Sequence, residues 1–149
     1  MALSGGGGMK VQFGVKGFRD LDRALARISA AMTPEVVEAA LVAGAEEIAQ
    51  EARKLAPVDT GTLRDSIQVV SSREGMRLYL KSQADDVTVY VGPVGSDEDG
   101  DVYYARFIEF GTSRHAPNPF LRPAIAAKAD AAGLVTVRQL QKVILEAAK

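Results

Sequence analysis

Apolar positions along the first third of the chain recur with helical spacing. Phe18, Leu21, Leu25, Ile28 and Met32 follow one another at steps of 3, 4, 3 and 4, which lays one apolar stripe along a helix. Arg19, Asp20, Asp22, Arg23 and Arg27 fall off that stripe and belong on the wet face. Thr33-Pro34-Glu35 then reads as a helix start, because Thr suits a cap, Pro the first helical position and Glu the positive end of the helix dipole. This second helix is expected to run to Leu55 and to stop before Pro57, roughly 34 Å of helix. Val37, Leu41, Ile48 and Leu55 are its apolar positions. Ala40, Gly44, Ala45 and Ala52 between them permit close approach of another element, so the helix reads as the spine of the domain.

Elsewhere the period changes. "KVQFGVKG" (10–17) has the pattern of a short strand. "TLRDSI" (62–67) reads as one helical turn, with Thr62 and Asp65 at capping-box spacing. "SIQVVSS", "MRLYLKS" and "VTVYVGP" alternate partially and predict three strands, with turns at Glu74-Gly75 and Asp85-Asp86. Their short links imply an antiparallel sheet. Tyr104, Phe107, Ile108 and Phe110 cluster before Gly111, and prolines 117, 119 and 123 punctuate the stretch after it. A last helix is expected over 136–147 with Val137, Leu140, Ile144 and Ala147 on one face. The expected fold class is α+β: a long helix packed on a small antiparallel sheet, with flanking N-terminal and C-terminal helices.

Composition narrows this further. The chain has 149 residues, 47% hydrophobic and 25% charged, ordinary values for one packed domain. Residues 1–8, "MALSGGGG", read as a flexible Gly-rich arm and 9–149 as a single domain. The glycines make no phosphate loop, since no G-K-[ST] comes after them. Eighteen Lys and Arg stand against 19 Asp and Glu, a net charge of −1, which argues against a dedicated nucleic-acid binder. There is no cysteine, so thiolate metal sites and disulfides are excluded. No apolar run approaches the roughly 20 residues of a membrane span, and the first residues lack the pattern of a secretory signal.

Several candidate chemistries can be weighed on residues alone. Asp59-Thr60-Gly61 is the tripeptide of aspartic proteases, where it follows an apolar strand and two copies share a proton. Here the lead-in "AEEIAQEARKLAP" is helical in period and charge. The better reading is a reversal in which Pro57 stops the helix, Asp59 makes the turn and Gly61 permits it. Asp97, Asp99 and Asp101 start like a calcium loop, but Val102 stands where the sharp-turn glycine belongs and Ile108 where the bidentate Glu belongs. His115 is the lone histidine and no nucleophile elbow is present. Arg114 and His115, in a proline-rich loop, are candidate partner contacts. Phe107, Phe110 and Phe120 are expected in the core rather than on a base-stacking platform, since Arg106, Arg114 and Arg122 are too few for a nucleic-acid groove. No catalytic residue, metal or cofactor is assigned.

Three motifs in order carry a family resemblance. The first is Ala56, Pro57, Asp59, Thr60, Gly61, Leu63 and Ser66, in "LAPVDTGTLRDSI". The second is Tyr104, Ala105, Ile108, Glu109, Gly111 and Thr112. The third is Pro117, Pro119, Phe120, Leu121, Pro123 and Ala124. Over about residues 9–130 the chain resembles the neck or tail-completion proteins of long-tailed phages, minor tail components that join head and tail. The resemblance implies a non-enzymatic virion protein, made in the host cytoplasm, that forms a ring at the head–tail junction. The implied partners are further copies of itself, in a sixfold ring or else a twelvefold one, the head-connector or stopper proteins, and the tail tube or its terminator protein. DNA would pass the channel without specific binding, and no membrane is involved. A terminator or adaptor in a prophage-derived or gene-transfer particle is the alternative, and a homodimeric aspartic protease the alternative of another class.

Burial and assembly add two expectations. Glu109, set among Phe107, Ile108 and Phe110, should be partly buried and therefore have a hydrogen-bonding or cationic partner, in the Asp59 turn or in an arginine such as Arg64. Ring contacts are expected in the arms and loops 1–16, 94–101 and 112–119, with Arg64, Asp97, Asp99, Asp101, Arg114 and His115 as candidate interface residues and the acidic loop facing either the channel or solvent.

Overall fold

The computed structural model describes residues 15–58, 61–71, 87–95 and 101–149, with side chains from Gly17 onward in the first helix and from Tyr104 onward in the fourth. The element order is α1 (Val15–Ala31), α2 (Pro34–Leu55), α3 (Thr62–Ser66), β1 (Ile67–Ser71), β2 (Val89–Pro93), α4 (Asp101–Phe110) and α5 (Leu121–Ala148). The class is α+β. The two strands pair antiparallel with Ile67 opposite Pro93, Val69 opposite Val91 and Ser71 opposite Val89. The expected strand "MRLYLKS" lies outside the described residues. So does most of "KVQFGVKG", but its last residues, Val15 to Gly17, are the first turn of α1 rather than strand.

The layers are sheet, α2 and α5, with α1 against α5 and the short α3 bridging the end of α2 to β1. α2 spans the residues expected of it. Pro34 occupies its first turn, and Thr33 caps with its backbone: its carbonyl accepts from the amides of Val36 and Val37 while its side chain makes no cap hydrogen bond. The buried residues of α2 are small, Ala40, Gly44, Ala49 and Ala52, and those of α5 are Ala124 and Ala132. Two helices with alanine and glycine at their contact lie closer than leucine would allow. At their crossing a Cβ on Gly44 would sit 2.6 Å from the Ala132 carbonyl oxygen and would run into Thr136 Oγ1. The core continues through Ala56, Leu63, Ile67, Ala105 and Phe120.

α5 is the largest departure from expectation. It begins fifteen residues before the expected start at Thr136 and absorbs Pro123 into its first turn, where a proline displaces no intrahelical hydrogen bond. Its pair with α2, rather than α2 alone, is the spine. The apolar stripe of α1 forms as expected, yet Phe18, Leu21 and Leu25 stay exposed, and so does Leu55 at the end of α2. Burial there is set by what lies opposite, which helical spacing does not encode.

The α2–α5 crossing predicts opposite signs for one chemical change. Gly44→Ala overpacks the contact and should lower stability by about 1–3 kcal/mol. Gly133→Ala, with nothing within 4 Å of the new Cβ on an exposed stretch of α5, should raise it by about 0.5–1 kcal/mol through helix propensity. Urea unfolding midpoints at unchanged m-value check both.

Candidate interaction site

The motif residues gather at the end of the molecule where α2 stops. Asp59 and Thr60 lie outside the described residues. Gly61 follows with φ +82° as the residue preceding α3, a left-handed conformation open to glycine. Thr62 is already inside the helix, so the capping box expected from Thr62 and Asp65 does not form; the Asp65 amide bonds instead to the Gly61 carbonyl at 2.9 Å. Leu63 is buried, Ser66 Oγ donates to the Leu63 carbonyl at 2.7 Å, and the Val94 amide donates to the Ser66 carbonyl at 2.8 Å. The turn is thereby tied to the sheet. Pro57 is half-buried beside it.

Arg53, which the pattern of the chain did not single out, secures the same corner. Its Nε and Nη2 donate to the Ile67 carbonyl at 3.0 and 2.9 Å, and its Nη1 donates to Glu46 Oε1 at 2.6 Å. Glu46 and Arg53 stand seven residues apart, two turns on one helix face. That spacing was the available signal.

Glu109 is 3% exposed. Its Oε2 accepts from the amides of Phe120 and Leu121 at 2.8 and 3.0 Å, and its Oε1 accepts from the amide and Nε of Arg122, both at 3.1 Å. Arg122 Nη2 also donates to the Glu109 carbonyl at 2.9 Å. The first four amides of a helix have no intrahelical partner. In α5 three of them go to this carboxylate, and the fourth position is Pro123, which has no N–H to satisfy. A negative charge at this end also suits the helix dipole. The arginine expected beside Glu109 is Arg122 rather than Arg64, and it acts together with the amides at the start of α5; the Asp59 turn lies outside the described residues. Arg64 is exposed and donates from Nε to Asp65 Oδ1 at 2.8 Å; this bond holds the Asp65 carboxyl below and the Arg64 guanidinium above their ordinary values.

The link from α4 to α5 is shaped around this contact. Gly111 ends α4 at φ +73°, and a Cβ there would lie 2.8 Å from the Pro117 nitrogen and 2.9 Å from the His115 carbonyl. Thr112 Oγ1 accepts from the amides of Arg114 and His115 at 3.3 and 3.1 Å, its own amide donates to the His115 carbonyl at 2.9 Å, and the Asn118 amide donates to the Ile108 carbonyl at 2.8 Å. Phe120 is fully buried and Pro119 half-buried. Phe107 and Phe110, expected in the core, are exposed. Their helix turns its small and acidic face, Ala105 and Glu109, inward, and Phe110 lies beneath the Arg122 guanidinium with 5.0 Å from carbon to ring centroid. Tyr104 is exposed beside Phe107, ring centroids 6.5 Å apart. Between α3, α4 and the loop lies an open groove of about 660 Å³, lined by Leu63, Tyr104, Phe107, Ile108, Pro57 and His115 among others.

Arg64, Arg114 and His115 are exposed around this end; Asp97 and Asp99 lie outside the described residues, and Asp101 opens α4. Among the described residues no group of histidines and carboxylates has metal-ligand geometry. No single helix is long and apolar enough to cross a membrane; α1 with α2 passes such a test only as a pair bent by 65°.

Residues 19–111, more than half of the chain, match the family described as "Bacteriophage HK97-gp10, putative tail-component". The chain belongs to this HK97-gp10-like family. The match takes in the first motif and the second as far as Gly111, so Thr112, the proline-rich loop and α5, whose start receives the Glu109 carboxylate, lie beyond it. No curated protein and no solved structure matches the chain. A phage tail component belongs to the virion and has a structural role, in keeping with the neck and tail-completion resemblance.

Burial pushes the Glu109 carboxyl up, but the three amides and the Arg122 guanidinium outweigh it and hold the group below its ordinary value. A carboxyl depressed in the folded state stabilises fully above its unfolded pKa of about 4.3 and loses that contribution as pH falls through the lower folded value. Glu109→Gln should cost about 2–3 kcal/mol at neutral pH, since an amide brings two N–H groups to a nest of donors. The variant should also lose less of its remaining stability between neutrality and acid than the parent. Denaturant titrations across pH check both, and equal acid sensitivity in the two proteins would remove Glu109 as the cause.

Proposed function

We propose that this HK97-gp10-like tail component works at the head–tail junction as a subunit of a closed ring, sixfold in preference to twelvefold, that completes the tail and joins it to the head connector. One observation supports a scaffold over a catalyst. The polar motif side chains that the structure describes are spent on holding the chain together: Glu109 on the α5 amides, Thr112 on its own loop and Ser66 on Leu63. Large apolar side chains meanwhile remain outside, Phe18, Leu21, Leu25, Tyr104 and Phe110 among them. A subunit that awaits neighbours carries its apolar surface this way. The neighbours in this reading are identical copies, a connector or stopper protein on the head side, and the tail tube or its terminator on the other.

The protease reading loses its context. α2 is helical to Leu55, so the tripeptide at 59–61 follows a helix and not the apolar strand from which a catalytic carboxylate is presented.

Cryo-electron microscopy of the purified protein, alone and mixed with isolated tails, tests the ring. A closed ring seated at a tail end is expected, and its symmetry gives the copy number; a monomer or dimer that never attaches to tails would favour an adaptor instead. The channel-facing role of the acidic loop is tested separately. A protein with Asp97, Asp99 and Asp101 all changed to Asn should assemble normally but slow DNA passage, because negative charge at a channel wall limits sticking of DNA; normal passage would remove that role.

A further inference from the structure

Among the described residues two apolar surfaces stand exposed at opposite ends of α2. The first is a ridge on α1, where Phe18, Leu21 and Leu25 are 69%, 53% and 55% exposed along one helix face. Single exposed apolar residues are ordinary; three in register on one face are not. The second is the groove of about 660 Å³ at the α3–α4 corner, whose apolar wall is Leu63, Tyr104, Phe107 and Ile108. Its size falls within the range of about 300–1,000 Å³ that receives whole side-chain clusters or small ligands.

The α2–α5 pair separates them. Ala49, Ala52 and Ala56 of α2 share a core with Phe120 and Ala124 at the start of α5, while Gly44 meets Ala132 and Thr136 further along α5. The two helices therefore run antiparallel, and the groove sits where α2 ends. α1 joins α2 at its other end, through Met32 and Thr33, and the 65° bend turns α1 off the end of α2 rather than back along it. The 22 residues of α2 hold the two surfaces about 33 Å apart, so the ridge cannot fill the groove of its own chain.

We propose that the occupant of the groove is the α1 ridge of a second copy of this chain, with Phe18, Leu21 and Leu25 of one subunit seated against Leu63, Tyr104, Phe107 and Ile108 of the next. This rests on the ring reading above and gives it an interface. Identical copies can cover both surfaces only by joining head to tail; a ridge-to-ridge pair covers one and leaves the groove open. Head-to-tail contacts that close make rings. One aromatic and two leucines entering a groove with two aromatic lips form the buried centre that specific interfaces need within their usual area of about 800 Å² per partner.

The test uses the full chain, with assembly followed by native mass spectrometry in solution and by electron microscopy on isolated tails. Leu21→Glu removes the ridge and Phe107→Glu the groove. Both positions face solvent in the single subunit, and circular dichroism confirms that each variant folds; Phe18→Ser and Tyr104→Ser replace either one that does not. Each variant alone should weaken self-association by about 100-fold or more. Mixed in equal amounts, the two should form heterodimers and nothing larger, because the ridge variant keeps an intact groove and the groove variant an intact ridge. A groove variant that still pairs as tightly as the parent would show ridge-to-ridge contact and overturn the proposal. Rings that both variants form undiminished would overturn it too and leave the ring reading standing. A parent chain that assembles neither in solution nor on tails would end both.

Discussion

The contact between Glu109 and the start of α5 is the constraint on which the rest of the molecule turns. A 28-residue helix must begin directly after a proline-rich loop, at a buried phenylalanine, with its first amides wholly or partly buried. Phe120, at that start, is fully buried and has no side chain that can cap. The carboxylate of α4 supplies what is missing. It accepts three amide hydrogens, and the fourth donor is absent because the residue is Pro123. A buried carboxylate and a buried helix end are each costly alone; placed against each other, each satisfies the other. The arrangement fixes α4 relative to α5 and so sets the shape of the loop between them, where Gly111 takes a conformation that brings the chain too near His115 and Pro117 for any side chain.

From that corner the rest of the architecture follows by size. α5 can lie along α2 because both present alanine and glycine at the contact. The sheet covers the other side of α2, and the Arg53 guanidinium ties α2 to the first residue of β1. Among the described residues the core is built mostly of small side chains, with Phe120 and Ile67 the largest that are fully buried. A core of that kind leaves the larger apolar side chains of α1 and α4 without a place inside. In the ring proposed above, their place is against another subunit.

The motifs of the chain are mechanical parts. The glutamate of one motif and the proline of the next, fourteen residues apart, are the two halves of one helix cap. Gly61 and Gly111 are the two positive-φ turns that flank the groove. Ser66 and Thr112 bond to their own local backbone. None of these roles needs a substrate, which agrees with a family of structural tail components.

The sequence by itself determined what depends on neighbours a few residues away: the bounds of α2, set by Pro34 and Pro57, the antiparallel character of the small sheet, the stripe on α1, and the left-handed turn at Gly61. It also carried the family, through motifs whose order survives even though their reasons are not local. What only the tertiary structure decided is which faces meet. The sequence marked Phe107 and Phe110 as part of an apolar cluster without assigning them a helix, and it could not say that they lie on α4 with the opposite face, Ala105 and Glu109, turned inward. It marked Glu109 as a residue in need of a partner, while the partner lay in backbone amides that every sequence possesses and no pattern announces. It could not extend the last helix back to Leu121 either, because local propensity reads Pro123 as a break, and only a carboxylate delivered from eleven residues earlier makes that proline the right residue in the first turn.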